Sequence, residues 1–71
     1  MTLQDVFDLI NKYQSIVIGK KIGDAGHTIE GFGLKEISPG NYDVYVIGQD
    51  LRSHNTFVHK PLSEWLEENG Y

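Results

Sequence analysis

The chain has 71 residues, 39% of them hydrophobic, and ten acidic against six basic side chains give a formal net charge of -4. A chain of this length buries only about 60% of the surface that its unfolded state exposes, so its core is small. We therefore expect a single domain over residues 1–71, without room for a deep active-site cleft. The negative charge disfavours a long polyanion as partner and argues against general coating of nucleic acid.

Composition also restricts the chemistry and location of the protein. The chain contains no cysteine, which excludes disulfides, thiolate chemistry and cysteine-based zinc sites. Asp5 and Asp8 occupy the stretch where a signal peptide carries basic residues, and no apolar run approaches the ~20 residues that span a bilayer. These features predict a cytoplasmic protein that neither enters nor crosses a membrane.

The first predicted element is a helix that begins after Thr2. Thr2 is a suitable N-cap, and Asp5 three residues later completes a capping box in which Asp replaces Glu. Apolar side chains then recur at spacings of three and four, which is typical of a helix that packs one side on a sheet. This stripe consists of Leu3, Val6, Phe7, Ile10 and Tyr13.

Strand patterns follow the helix. Residues 16–18 form a β-branched run, and this run predicts a first strand over Ser15–Ile22. An extended pattern resumes over His27–Phe32. There Gly31 and Gly33 predict a bulge, or a bend where another backbone comes close.

The clearest pattern in the chain is a β-hairpin over Gly33–Gly48. Pro39 sets φ for the second position of a turn, and Gly40 tolerates the positive φ that follows. Residues 42–47 then alternate in character along the return strand. That strand is therefore expected to have one apolar face and one mixed face that bears an aromatic ring.

The remainder of the chain predicts one more strand and a last helix. Residues 23–26 have the composition of a turn and residues 49–55 that of a polar loop, whereas Thr56–His59 is typical of a short strand. Pro61 suits the first position of a helix, and Gly70 is suited to end it in the left-handed conformation. The apolar triplet of this helix is Leu62, Trp65 and Leu66.

The order of these elements predicts the fold class. We expect an α+β domain in which an antiparallel sheet of three or four strands lies between an N-terminal helix and a short C-terminal helix. Both helices would pack on one face of a curved sheet. A small SH3-like barrel with appended helices is the alternative arrangement.

Patterns for catalysis, cofactors and metals are absent from the sequence. Residues 19–26 are rich in glycine and lysine but lack the P-loop spacing and the helix that must follow it. His54 and His59 lie five residues apart across a predicted strand, and His27 is remote, which is not a metal-ligand spacing. Ser53 adjoins His54, whereas a nucleophile and its base must face one another. We expect neither an enzyme nor a bound cofactor or metal.

Aromatic side chains are more numerous than so small a core is expected to hide. Tyr42 and Tyr45 lie on opposite faces of one strand, so at most one of them faces the helices. Exposed rings of this kind favour protein interfaces. The last helix in turn has an acidic outer face. The predicted partner-binding residues are Tyr42, Tyr45, Glu64, Glu67 and Glu68.

The opening TLQDVFDLINKYQSIVIG resembles the start of many short proteins encoded by bacteriophages and mobile elements of Gram-positive bacteria. In that group a Thr-Leu cap begins a helix with a Leu or Ile stripe, and a strand of Ile and Val follows at once. The likeness covers the first quarter of the chain, and no functional residues carry over. It implies a small protein that binds and blocks a host protein or a defence component.

Three functional hypotheses follow. The first is a non-enzymatic interaction protein, such as a phage-type inhibitor, that uses an exposed sheet edge or aromatic face together with the acidic helix. The second is a nucleic-acid or nucleotide binder that uses the ring of Tyr45 and an anion-binding patch. The third is a structural homo-oligomer, most simply a two-fold dimer, since open strand edges invite pairing. The predicted anion-binding residues are Lys20, Lys21 and Arg52.

Overall fold

The computed structural model describes residues 1–22, 27–49 and 57–71. The elements in this part of the chain are α1 (Leu3–Val17), β1 (Lys21–Ile22), β2 (His27–Ser38), β3 (Asn41–Gln49), β4 (Phe57–Pro61) and α2 (Leu62–Glu68). The strands form one antiparallel sheet in the order β1-β2-β3-β4. This confirms the predicted α+β class. The predicted turn at 23–26 and the predicted loop beyond Gln49 lie outside the described residues.

Helix α1 begins as the sequence predicts, with Thr2 as its N-cap. The Thr2 hydroxyl accepts a hydrogen bond from the Asp5 amide at 3.1 Å, and the Asp5 carboxylate accepts one from the Thr2 amide at 3.1 Å. This capping box satisfies amides that have no partner within the first helical turn. The helix therefore starts at a defined residue. Of the predicted apolar stripe, Val6 is buried and Ile10 and Tyr13 are partly buried, whereas Leu3 and Phe7 are 41% and 47% exposed.

Helix α1 ends later than predicted, and the predicted strand over Ser15–Ile22 is wrong. The helix runs to Val17, and within this range only Lys21–Ile22 pairs as a strand. Val17 lies about three helical turns after Val6, and both side chains are fully buried in the same core. Their burial outweighs the strand preference of a β-branched run, which amounts to less than about 1 kcal/mol per residue.

The core lies between the two helices and one face of the sheet. Alternate residues of β3, among them Val44 and Val46, are buried and contact both helices through the same cluster. The helices therefore share one face of the sheet, as predicted. The buried apolar residues are Val6, Val17, Ile22, Ile29, Val44, Val46, Leu62, Trp65 and Leu66.

Helix α2 contains the predicted apolar triplet, and all three of its members are buried. The Trp65 indole N–H donates a hydrogen bond to the carbonyl of Lys21 at 3.1 Å, which ties the last helix to β1 at the far edge of the sheet. Pro61 is the N-cap and the last residue of β4, not the first helical residue. Gly70 adopts a φ of 80° after the helix, as predicted.

The β2–β3 hairpin contains the predicted turn. Ser38 and Asn41 are paired, and Gly40 between them has a φ of 74°. We expect Gly40→Val to lower the free energy of unfolding by about 1–2 kcal/mol, because a side chain strains the left-handed conformation.

Urea denaturation tests this prediction against Gly40→Asn, since Asn tolerates positive φ better than other residues with side chains. No atom of the described residues lies within 4 Å of a Cβ built at Gly40, so a loss of stability would report backbone strain and not crowding. Equal stability of Gly40→Val and the wild type would contradict the turn.

Two bulges interrupt β2. The register shifts by one residue between Ile29 and Gly31, and again between Glu36 and Ser38. The first shift confirms the predicted bulge. At Gly33, however, the close neighbour is a side chain and not the backbone that the sequence predicted. A Cβ built there would lie 2.8 Å from Cδ1 of Ile47.

Polar groups of the same chain cover the edge of β3 that β4 does not reach. β4 ends at Pro61, so the first residues of β3 have no strand on that side within the described part of the chain. The Met1 carbonyl accepts a hydrogen bond from the Tyr42 amide at 2.7 Å. The Asp43 carboxylate accepts one from the Val44 amide at 2.9 Å. This edge is therefore closed to further strands.

Candidate functional site

The outer face of the sheet, opposite the helices, is the candidate site. Side chains alternate along a strand, so Tyr45 and Ile47 lie on the outer face when Val44 and Val46 face the core. Residues directly opposite each other in an antiparallel pair share a face. His59, which pairs with Ile47, is therefore also on the outer face, as are the residues of β2 that pair with these positions.

These strands form a shallow depression that we call the outer groove. Its volume is about 530 Å³, and it crosses β2, β3 and β4. The absence of a side chain at Gly33 lets Ile47 lie over the backbone of β2, where it forms part of the apolar lining. The residues that line the outer groove are Gly33, Leu34, Lys35, Tyr45, Ile47 and His59.

Tyr45 and His59 form a ring pair in the outer groove. Their ring centroids are 5.6 Å apart and their planes meet at 80°, which is an edge-to-face contact. Tyr45 is half-buried and His59 is exposed. Neither side chain makes a hydrogen bond to the residues that the structure describes. Among the described residues, therefore, none competes with a partner for either polar end.

Lys35 supplies a positive charge at the rim of the outer groove. It lies opposite Asp43 in the sheet and is exposed. The Asp43 carboxylate is instead directed to the amide of Val44, and within the described ranges no ion pair joins it to Lys35. The outer groove thus has an apolar and aromatic centre with a free cation on one side.

The structure places the two tyrosines that were predicted to bind a partner on opposite faces of β3, as the alternation of side chains along a strand requires. Tyr42 lies on the helix face and packs against the core. A hydrogen bond from its hydroxyl to Glu36, the negative charge of that carboxylate and partial burial together raise the pKa of Tyr42 above its ordinary value. Tyr45 is therefore the tyrosine that the uncovered face presents.

The acidic surface of α2 lies on the other side of the sheet from Tyr45. Glu64, Glu67 and Glu68 are exposed there. Glu68 accepts a hydrogen bond from Lys60, which raises the pKa of that ammonium; burial opposes the shift and nearby negative charge adds to it. The structure does not bring this acidic helix and the outer groove into one surface.

The predicted anion-binding lysines are also remote from Tyr45. Lys20 and Lys21 are exposed, and Lys21 pairs with Thr28, five residues along β2 from the partner of Tyr45. That separation corresponds to roughly 17 Å of strand. Arg52 lies outside the described residues.

Two of the three histidines lie in strands of the described part of the chain, His27 in β2 and His59 in β4. There, no three histidine or acidic side chains lie close enough to hold a metal ion. None of the helices described is long and apolar enough to cross a bilayer. Ser53 and His54 lie outside the described residues.

No family model, curated protein or solved structure matches this chain.

Proposed function

We propose that this chain is a non-enzymatic, cytoplasmic protein-binding module whose binding surface is the outer groove. The observation that carries this proposal is the ring pair of Tyr45 and His59 on a sheet face that neither helix covers. Tyrosine offers a large contact area at low conformational cost, and such residues supply most of the energy at protein interfaces. Ile47, whose Cδ1 lies over Gly33, adds an apolar surface on which a partner side chain can pack.

A polypeptide suits the outer groove better than a nucleic acid does. Affinity for a phosphate backbone grows with the number of cations that contact it. The rim offers Lys35 alone among the lining residues, Asp43 lies opposite it, and the net charge of the chain is -4. An apolar side chain packed on Ile47, together with a carboxylate near Lys35, matches the lining as it stands.

Resemblance of the opening residues to short phage-encoded proteins supports a narrower proposal about the partner. A module that binds through the outer groove would act by covering part of its partner's surface. We therefore propose that the partner is a host or defence protein, and that binding blocks it.

We expect Tyr45→Ala to weaken partner binding by at least ~10-fold, since aromatic anchors in a groove carry much of the binding energy. The fold should persist because Tyr45 lies outside the core cluster, and circular dichroism checks this. Wild type and variant are immobilised and exposed to a bacterial lysate, captured proteins are identified by mass spectrometry, and each purified candidate is titrated by calorimetry.

Glu67→Ala is the matched control, because Glu67 is exposed on α2 across the sheet. A partner that Tyr45→Ala loses and Glu67→Ala retains would support the proposal. A partner that both variants bind as tightly as the wild type does would contradict it. Binding of single-stranded DNA or RNA that depends on Tyr45, without a protein partner, would favour the nucleic-acid alternative.

A further inference from the structure

Within the part of the chain that the structure describes, strand β2 has an open edge along most of its length. β1 pairs only with its first two residues, and Ile29 next to them exchanges hydrogen bonds with Gly19 and Lys20. From Gly31 to Ser38, none of the residues that the structure describes pairs with the side of β2 that faces away from β3. This open edge contrasts with the edge of β3 that Met1 and Asp43 cover.

The pairing of β3 identifies the backbone groups that this open edge presents. Residues of an antiparallel pair alternate between those bonded to the neighbouring strand and those directed away from it. Tyr42 directs its amide and carbonyl to Met1, on the side away from β2. Glu36, which pairs with Tyr42, therefore directs its own amide and carbonyl to the open edge of β2. Every second residue of the strand does the same, so the amides and carbonyls of Leu34 and Phe32 also point to the open edge.

We propose that a second copy of this chain occupies the open edge, with the two β2 strands antiparallel and Leu34 on the two-fold axis. Phe32, Leu34 and Glu36, whose amides and carbonyls point to the open edge, are spaced symmetrically about Leu34. Each copy therefore supplies hydrogen-bond partners for these groups of the other. In this register Phe32 faces the partner's Glu36, and Gly33 faces the partner's Lys35.

Charge selects this register over its neighbours. Centring the pair on Lys35 or on Glu36 would place two like charges directly opposite each other, which is destabilising. Centring it on Gly33 would place Glu36 opposite the partner's Glu30. The register centred on Leu34 opposes no like charges.

The exposure of the Leu34 side chain and the position of Lys35 are consistent with this arrangement. Leu34 is 45% exposed, although it lies on the face of β2 that bears the partly buried Phe32. At the two-fold axis the two Leu34 side chains contact each other and lose that exposure. Lys35 lies opposite the partner's Gly33, which has no side chain of its own at that position.

Such a dimer would join two sheets into one. The axis is perpendicular to the sheet, so the helices of both copies lie on one side and both outer grooves lie on the other. This inference goes beyond the proposed function, because it rests on the backbone edge of β2 and not on the ring pair. It predicts that a partner meets two binding surfaces on one face.

Light scattering during gel filtration at tens of micromolar tests the dimer. We expect the wild type to show twice the chain mass of 8.0 kDa. Leu34→Lys and Leu34→Glu should each show the single chain mass, because each places like charges at the axis. An equimolar mixture of the two should recover the doubled mass, since Lys then faces Glu. Circular dichroism confirms that both variants are folded.

Leu3→Lys is the matched control. Leu3 is 41% exposed at the start of α1, two residues after Met1, which lies along the side of β3 that faces away from β2, so this variant should stay dimeric. A wild type of single chain mass, or a dimeric Leu34→Lys, would overturn the proposal. A mixture that stays monomeric would overturn the register. Tyr45→Ala should remain dimeric, so failure of the proposed function and failure of this inference are distinguishable.

Discussion

Replacing Trp65 with alanine is expected to lower the free energy of unfolding by about 3–5 kcal/mol. Trp65 is only 3% exposed, and its ring stacks on Tyr71 with centroids 6.2 Å apart. Its indole also donates the hydrogen bond to Lys21 that joins α2 to β1. A domain of this size has a total stability of about the same magnitude, so the variant should be largely unfolded.

Thermal and urea denaturation followed by circular dichroism measure this effect. Trp65→Phe keeps a ring in the core but removes the N–H donor, so we expect a loss of only about 1–2 kcal/mol. Glu67→Ala changes an exposed residue on the same helix and should alter stability by less than about 0.5 kcal/mol. A melting temperature unchanged by Trp65→Ala would show that α2 does not dock on the sheet.

Gly48→Val is expected to lower the free energy of unfolding by about 3 kcal/mol, toward the upper end of the range for an overfilled core. Gly48 is buried in β3, and a Cβ at this position would lie 3.0 Å from the Thr28 carbonyl oxygen and 3.0 Å from Cδ1 of Ile22. The Ile22 side chain is able to rotate. The Thr28 carbonyl belongs to a strand backbone, so β2 and β3 must separate to accept the new side chain.

Gly31→Val is the matched control for Gly48→Val. It makes the same change in the neighbouring strand, where no described atom lies within 4 Å of the added Cβ. We expect its stability to stay the same or rise slightly, because valine favours strands over glycine. Urea unfolding of both variants would reveal the difference, and equal losses would contradict the packing of Gly48.

Sequence patterns predicted the elements whose signals are local. The capping box of Thr2 and Asp5, the Pro39-Gly40 turn and the triplet around Trp65 all depend on residues a few positions apart. The end of α1 was not predictable in this way. Val17 belongs to a run that favours a strand, and its place in a helix depends on contacts with residues distant in sequence.

The outer groove was not predictable from the sequence because of the bulge between Glu36 and Ser38, next to the turn. The pairing of Ser38 with Asn41, continued without interruption, would place Gly33 opposite Val46 on the buried face. The extra residue at the bulge shifts the register by one, so that Gly33 faces Tyr45 instead. A shift of one residue moves every later side chain to the other face. The alternation of side chains along the strand therefore indicates Tyr45 as a candidate but not Gly33, Lys35 or His59 as its neighbours.

Trp65 is also an intrinsic fluorescence probe, because its environment depends on the fold. Trp65 is the only tryptophan in the chain, and it is buried between α2 and β1 against Tyr71. Its fluorescence therefore reports the attachment of the last helix, and emission should shift to longer wavelength when that helix detaches and water reaches the indole. Tyr45 lies on the opposite face of the sheet, so a partner in the outer groove should leave this emission unchanged unless binding also rearranges the core.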